Sequence, residues 1–434
     1  MFSSHIDSNG LIYYYISKKS HPSNRVLFAD LDHTIIVPKS GKKHPQNLQD
    51  WKFMMDPRIF QPYIAAGWRL VILTNQKKMT QQDVECKMSA VVKSLEEVGI
   101  QCVILVATQD DFYRKPSTGM IDYFLQHHNS SHNKLDKAAS FMVGDAAGRK
   151  GDHSPGDLML AENAGLHFMT PEIFSVDFGI PPPNGKIIAS KEMRALVSNL
   201  AANPKYFNPQ AYICSFSEKD IQSHKKEMAA LEECIAKAVN FILVMVGPPA
   251  STKSTLAAYI ASKVAANTTI MSYDTFTGTK TAFKKEVMRL LAAKRNIIID
   301  NTNAKIKDRQ QWIELANAGE IPYTAIEVFY DLPKPLVMHL NDLRNKMINS
   351  GRMTDTPHEI IPEGLARLDA THLPEGSKSL ARLDATHLPD VAIHTWYKYL
   401  EPPSIADGAS RIFHFTSIDI EQTKKFPHFL EWNC

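Results

Sequence analysis

The 434-residue chain is poor in cysteine. Its five cysteines, at 86, 102, 214, 234 and 434, include no pair spaced as CxxC. That excludes a disulfide framework or a zinc ribbon and fits a reducing compartment. Long apolar runs are missing too. No stretch nears the roughly 20 residues that span a bilayer, and the opening MFSSHIDSNG lacks the charged-then-apolar order of a secretion signal, so no membrane partner is expected. Charge of one sign is scarce: 49 Lys/Arg against 46 Asp/Glu leave +3. Such a balance does not by itself announce a polyanion ligand. The sum hides local structure, because residues 1–150 hold 19 basic against 14 acidic side chains, whereas 351–434 hold 8 against 12. What remains is ordinary globular usage, 44% hydrophobic and 22% charged, on a chain long enough for two or three domains.

Four short apolar runs read as buried parallel strands: Val26–Leu31, Leu70–Leu73, Val103–Val106 and Phe141–Val143. Helix-like stretches such as Asp83–Val98 lie between them, and this alternation predicts a doubly wound α/β domain over 1–178. The pattern breaks at the Pro-rich Ile180–Gly185, which opens a polar connector, 179–238, with a helix predicted at Glu218–Ala238. A second α/β domain, 239–434, begins at Phe241–Val246 and continues through Ile297–Ile299 and Ala325–Tyr330. The segment LARLDATHLP occurs twice, at 365–374 and 380–389. Two copies do not make a repeat fold, and a local tandem duplication in a surface loop is the simpler reading.

Chemistry-bearing residues sit at the ends of these strands. The first strand runs into Asp30-Leu31-Asp32-His33-Thr34, placing two carboxylates where α/β sheets open onto a ligand crevice. One can attack phosphorus while the other shuttles a proton. The second strand ends at Thr74, whose hydroxyl suits a phosphate oxygen. Lys115 offers a cation to offset developing charge. The fourth strand ends Val143-Gly144-Asp145, with Asp152 and Asp157 following, and such carboxylates suit a hard cation like Mg²⁺. Any one of these could be a turn aspartate, a helix cap or a surface lysine; four in register argue for a site.

In these residues the chain resembles the haloacid-dehalogenase phosphatases, and more closely the phosphatase half of the polynucleotide kinase 3′-phosphatase family. The segments that carry the likeness are ADLDHTII, ILTNQ, ILVATQDDFYRKPSTGM and FMVGDAAGRKGDHSPGDLMLAENAGL. The resemblance implies Asp30 as nucleophile and Mg²⁺ ligand, and Asp32 as general acid/base that ligates metal through its main chain. It implies Thr74 and Lys115 as phosphoryl-binding residues, and Asp145 as completing the metal site. His33 stands where the family usually has glycine, a change at the pocket rim.

The second domain opens with a phosphate loop carrying a defect. Phe241–Val246 leads into Gly247-Pro-Pro-Ala-Ser-Thr252-Lys253-Ser254, against the pattern GxxxxGK[ST], whose backbone N–H groups cradle phosphates. Gly247, Lys253 and Ser254 fit. Thr252 replaces a glycine that suits a tight, positive-φ turn. Downstream, Asp274 is placed to accept a proton from a hydroxyl nucleophile, Asp300 ends another strand, and Arg344 offers a lid cation.

Here the likeness extends to the kinase half of the same family, through YDT, IIIDNTN, Met353–Asp355 and DVAIHTWYKYLEPPSIADGASRIFHF. It implies ATP and Mg²⁺ bound by Lys253, Ser254 and Thr255 on the Gly247–Thr252 loop, Asp274 as base and Arg344 in the lid. Tyr273 replaces an arginine beside the base, and Asp342 a lid position that often carries a basic residue. The resemblance as a whole implies a monomeric nuclear enzyme of DNA strand-break repair. It would trim 3′-phosphates and phosphorylate 5′-hydroxyl ends, alongside repair proteins but without the forkhead-associated domain of some relatives. Lys39–Lys43, Lys77/Lys78 and Lys280–Lys285 are candidate contacts to backbone phosphates. Two other readings stay open: a phosphatase whose second domain binds nucleotide or DNA without transfer, and a small-molecule phosphatase. The match through RKPSTGM and GDAAGR weighs against the latter.

Overall fold

The computed structural model describes residues 2–6, 12–17, 21–77, 79–129, 134–177, 190–263, 267–318, 321–350, 387–423 and 427–432. The chain divides into two compact units, Met1–Asn208 with Glu431–Cys434, and Pro209–Leu430. Both are α/β.

Among the described residues the first unit has nine strands: β1 Phe2–Ile6, β2 Ile12–Ser17, β3 Val26–Ala29, β4 Ile36–Val37, β5 Lys52–Phe53, β6 Arg69–Asn75, β7 Cys102–Ala107, β8 Phe141–Val143 and β9 His167–Met169. Seven form a sheet in the order β1-β2-β7-β6-β3-β8-β9. β3, β6, β7, β8 and β9 run parallel, and the apolar stretches VLFA, LVIL, CVILVA and FMV of the first four suit strands covered on both faces. Their side chains divide by the two-residue period. Leu27, Ala29, Leu70, Ile72 and Ile104 enter one core with Val84, Met88, Val91 and Leu95 of the helix Gln81–Glu97. Val26, Phe28, Val71, Leu73 and Leu105 enter the other, with Met120 and Phe124 of Gly119–His127 and Leu158 of Gly156–Ala164.

Not all of this was expected. β1 and β2 form an antiparallel hairpin on the β7 edge, so the sheet is mixed rather than purely parallel. β1 reads FSSHI and β9 only HFM, too polar or too short to register as apolar runs. Helix Lys191–Ala202, within the expected connector, sends Leu200 into the second core of this unit.

The second unit is a parallel sheet of β10 Phe241–Val246, β11 Thr268–Met271, β12 Asn296–Ile299, β13 Thr324–Tyr330 and β14 Arg411–Phe415, in the order β11-β12-β10-β13-β14. The order reverses direction at β10, so the loop leaving it opens into a switch-point crevice. A 20-residue helix, Glu218–Lys237, precedes the sheet and is capped by Ser217, which accepts from the Asp220 N–H. Asn341, Asn345 and Asn349 lie at four-residue spacing on the helix Lys334–Asn349 and hydrogen-bond Leu388, Asp390 and His387. Most of the duplicated segment, residues 365–386, lies outside the described residues, as do Met353–Asp355, the Pro-rich 180–185 and Lys78.

Candidate functional site

In the first unit the crevice lies where β3, β6 and β8 end. Asp30 follows β3, and its N–H donates to the Val143 carbonyl (2.8 Å), which fixes the two strand ends side by side. Gly144 leaves room at this level, since a Cβ there would lie 2.4 Å from an Asp157 carboxylate oxygen. Asp30, Asp145 and Asp157 thereby bring carboxylate oxygens within 4.8 Å of one another. The Lys115 ammonium bridges this group, bonding Asp30 Oδ1 and Asp157 Oδ1 at 2.5 and 2.7 Å. All of this is buried apart from the half-buried Asp145.

Electrostatics follow from that burial. Desolvation holds the Asp30 carboxyl well above its ordinary range; Lys115 pulls it back down, while Asp157, Asp145 and Asp32 push it up. Asp145 is raised for the same reason, burial first and Asp157 second. Burial alone would lower Lys115, but Asp157 and Asp30 outweigh it and hold the ammonium charged. Three crowded carboxylates with one lysine are an oxygen-only donor set with excess negative charge, which fits a hard divalent cation such as Mg²⁺. Asp157 stands in this cluster, whereas Asp152 accepts from Ala147 N, Arg149 N and the Arg149 guanidinium and closes its own loop. Thr34 Oγ1 accepts from Asp145 N at 3.1 Å.

Asp32 sits apart from the carboxylate cluster. Lys87 Nζ lies 2.9 Å from its Oδ1, and the Gln76 amide donates both to Asp32 Oδ2 and to Thr74 Oγ1, 2.7 Å away. The general-acid candidate and the phosphoryl-binding hydroxyl are thus tied through one side chain. Asn75, between Thr74 and Gln76 in sequence, grips the Lys115 backbone with both ends of its amide (3.0 and 3.1 Å). His33 has φ of +60°, the left-handed conformation that glycine adopts freely and that histidine tolerates better than most residues. Its ring reaches the Lys43 carbonyl at 3.1 Å. Beside Asp32 opens a cavity of about 450 Å³ lined by Pro38, Asn47, Trp51, Met79 and Lys87 among others.

Sequence reasoning gave no role to Lys87 or Gln76. Lys87 had a signal: it falls on the apolar stripe with Val84, Val91 and Leu95, and a lysine on a buried helix face needs a partner.

In the second unit the loop after β10 carries the phosphate motif into the helix Lys253–Lys263. A Cβ on Gly247 would lie 2.9 Å from Tyr330 Cβ and 3.0 Å from Lys253 Cδ, so glycine is required there. Thr252 has φ of +65° and Ala250 of +61°. The loop keeps its left-handed turn although a β-branched residue occupies the glycine position. Lys253 is buried, with Nζ on the Pro248 carbonyl and 3.2 Å from Ser251 Oγ. Its burial lowers it to about 8, opposed by Asp300 and Asp274 and reinforced by Arg344. Asp300, directly after β12, is raised by its burial and pulled down by Lys253; with Ser254 it offers the hydroxyl and carboxylate that suit Mg²⁺ beside a phosphate loop. Burial lowers Arg344 while Asp274 pulls it up. Lys253, Ser254, Asp274, Asp300 and Arg344 are therefore electrostatic neighbours, whereas Thr255 is half-buried on the helix behind them. Asp300 was noted in sequence without a role. Tyr273 is exposed beside Asp274, its ring packed on Phe283 with centroids 4.3 Å apart. Asp342 pairs with Lys346 at 3.1 Å along its own helix.

The fold and these two sites define a class: an α/β unit with a buried carboxylate–lysine site joined in one chain to an α/β unit with a phosphate loop. Comparison with known proteins narrows it. The family Polynucleotide kinase 3 phosphatase matches residues 25–175, and an AAA domain family matches 242–368. The bifunctional polynucleotide phosphatase/kinase of Schizosaccharomyces pombe is 32% identical over 324 residues, covering 72% of this chain and 70% of that one. The polynucleotide 3′-phosphatase ZDP of Arabidopsis thaliana is 34% identical over 150 residues, covering 30% of this chain and 22% of that one. The chain belongs to the bifunctional polynucleotide phosphatase/kinase family.

Proposed function

We propose that the protein repairs broken DNA ends in the nucleus, the first unit removing 3′-phosphates and the second phosphorylating 5′-hydroxyls from ATP. The observation that carries the phosphatase reading is Lys115, buried between Asp30 and Asp157 in a group of three close carboxylates. Asp30 attacks phosphorus, the bond from phosphorus to the 3′-oxygen breaks, and Asp32 gives its proton to the leaving oxygen. Water then attacks the aspartyl-phosphate, Asp32 takes the water's proton, and inorganic phosphate leaves with Asp30 restored. Lys115 and Thr74 hold the phosphoryl oxygens throughout. Mg²⁺, held by Asp30, Asp145, Asp157 and the Asp32 main chain, would neutralise charge on the transferring group.

In the second unit Lys253 holds the terminal phosphate of ATP, and Asp274 takes the proton of the 5′-hydroxyl as the hydroxyl oxygen attacks the γ-phosphorus; the bond from that phosphorus to the β,γ-bridging oxygen breaks and ADP leaves. Arg344 offsets the charge there. Ser254 and Asp300 would hold Mg²⁺ beside the phosphates. Exposed Lys42 and Lys43 near the first crevice, and Lys280 and Lys285 near the second, supply contacts to backbone phosphates. A polynucleotide end rather than a small phosphate ester fits the likeness to the polynucleotide phosphatase/kinases.

The test uses an oligonucleotide with a 3′-phosphate and a 5′-hydroxyl. Wild type with Mg²⁺ releases phosphate and Asp30→Asn does not; labelled γ-phosphate from ATP appears on the 5′ end and is lost in Asp274→Asn. Cleavage of sugar phosphates without release from the oligonucleotide would defeat the first half. The left-handed Thr252 favours a second reading of the other unit, as a binding module, and ATP binding without label transfer in wild type would select it.

A further inference from the structure

The loop that carries Lys115 is held from an unexpected part of the chain. Lys115 itself is gripped by Asn75. The next residue, Pro116, offers its carbonyl to the Asn163 amide at 2.8 Å. The same amide pairs with the backbone of Trp432: its Nδ2 donates to the Trp432 carbonyl (3.1 Å) and its Oδ1 accepts from the Trp432 N–H (2.7 Å). Two residues beyond Pro116, the Thr118 hydroxyl donates to Glu431 Oε1 at 2.9 Å. The Trp432 indole is buried in the same apolar cluster as Leu158 and Met120. Glu431 and Trp432 stand 313 and 269 positions from their partners, so no local secondary structure requires these bonds.

Asn163 lies on the helix Gly156–Ala164, which also carries Asp157, and Asp157 holds the Lys115 ammonium. One helix thus fixes the lysine at both ends: Asp157 at the ammonium and Asn163 at the backbone one residue on. The Trp432 backbone takes the second amide N–H of that asparagine and donates to its oxygen.

We propose that Glu431 and Trp432 are positioning residues of the phosphatase, holding the Lys115–Thr118 loop through Asn163 so that the Lys115 ammonium stays on the phosphoryl group. This rests on the assignment of Lys115 to 3′-phosphate removal. A catalytic group displaced by about 1 Å can cost on the order of 100-fold in rate. Residues that follow the entire second unit in sequence therefore control the reaction of the first.

The test is made on the full chain with a 3′-phosphate oligonucleotide, comparing wild type, Trp432→Ala, Trp432→Phe, Asn163→Ala and Glu431→Ala. Trp432→Ala and Asn163→Ala are expected to lower kcat about 10- to 100-fold with KM changed less than about threefold. Glu431→Ala should show a smaller fall in the same direction, and Trp432→Phe should recover most of the rate. ATP binding by the second unit, read on the same preparations, should be unchanged, which separates misplacement from general unfolding. Wild-type kcat in both Trp432→Ala and Asn163→Ala overturns the proposal, and so does a loss of rate accompanied by an equal loss of ATP binding. If wild type itself releases no 3′-phosphate, the phosphatase assignment fails instead, and the two failures are told apart.

Discussion

Lys87 Nζ lies 2.9 Å from Asp32 Oδ1 and 3.3 Å from its Oδ2, an ion pair between a buried lysine and a carboxylate that is still 39% exposed. The pairing reaches across 55 residues and is completed by Gln76, which accepts from Lys87 at 3.2 Å and donates to Asp32. Both oxygens of the proposed acid/base are thereby aimed from the protein side, leaving its exposed side to substrate. Positioned acid–base groups contribute about 10²–10⁴-fold. Lys87→Met should lower phosphatase kcat by about 10- to 100-fold, less than Asp32→Asn does, with KM little changed. A rate within twofold of wild type, measured on a 3′-phosphate oligonucleotide, would show that Asp32 needs no such support.

Asp157 gives a sharper distinction. It shares Lys115 with Asp30 and also accepts from Ala146 N at 3.1 Å. As a metal ligand its replacement must weaken Mg²⁺; as a partner of Lys115 alone it need not. Asp157→Asn should raise the Mg²⁺ concentration for half-maximal phosphate release by at least about 10-fold, and chelation should abolish release in wild type. An unchanged Mg²⁺ dependence with reduced kcat would leave only the lysine-holding role.

Thr252 tests the other unit. An L-residue in the left-handed region costs about 1–2 kcal/mol, more readily borne by asparagine than by a β-branched side chain. Thr252→Gly removes that cost together with the Cβ. Turnover on a 5′-hydroxyl oligonucleotide should rise several-fold, with thermal stability within about 1 kcal/mol of wild type. Unchanged or reduced transfer would mean that the loop already serves as it stands.

How much of this could be read in the sequence depends on the range of the interactions. The central strands were legible because strands buried on both faces must be continuously apolar, as FILVMV and CVILVA are. Asp30, Thr74 and Asp145 stood out because each lies at or just after the end of one such run, whereas Lys115 stands eight residues beyond β7. The hairpin Phe2–Ile6/Ile12–Ser17 was not, because its partner strand lies some 90 residues away and an edge strand can be polar. Gln76, Lys87 and Asn163 act through contacts 11 to 269 residues distant, which no local pattern encodes. Only the misplaced charge of Lys87 on an apolar stripe betrayed one of them.

The last prediction concerns a buried ion pair in the second sheet. Glu327, central in β13, lies 3.0 Å from Arg309 Nε, and Arg309 also donates to the carbonyls of Asn303 and Ala304 and pairs with Asp407. Burial pushes the Glu327 carboxyl up to about 7, against the pull of Arg309 and with a further push from Asp407. In the unfolded chain the same group titrates near 4.5. Between these values the folded protein holds the proton more tightly, so this contribution to stability is full below about pH 4.5 and is lost as pH rises through about 7. Glu327→Gln keeps the shape and cannot titrate. Unfolding of wild type and variant by urea, followed through the buried Trp312, should give a difference that moves by about 1–3 kcal/mol against wild type from pH 5 to pH 8. A difference that stays flat, or moves the other way, would mean that Arg309 keeps Glu327 ionised throughout and that the pair stabilises the unit as a true salt bridge at neutral pH.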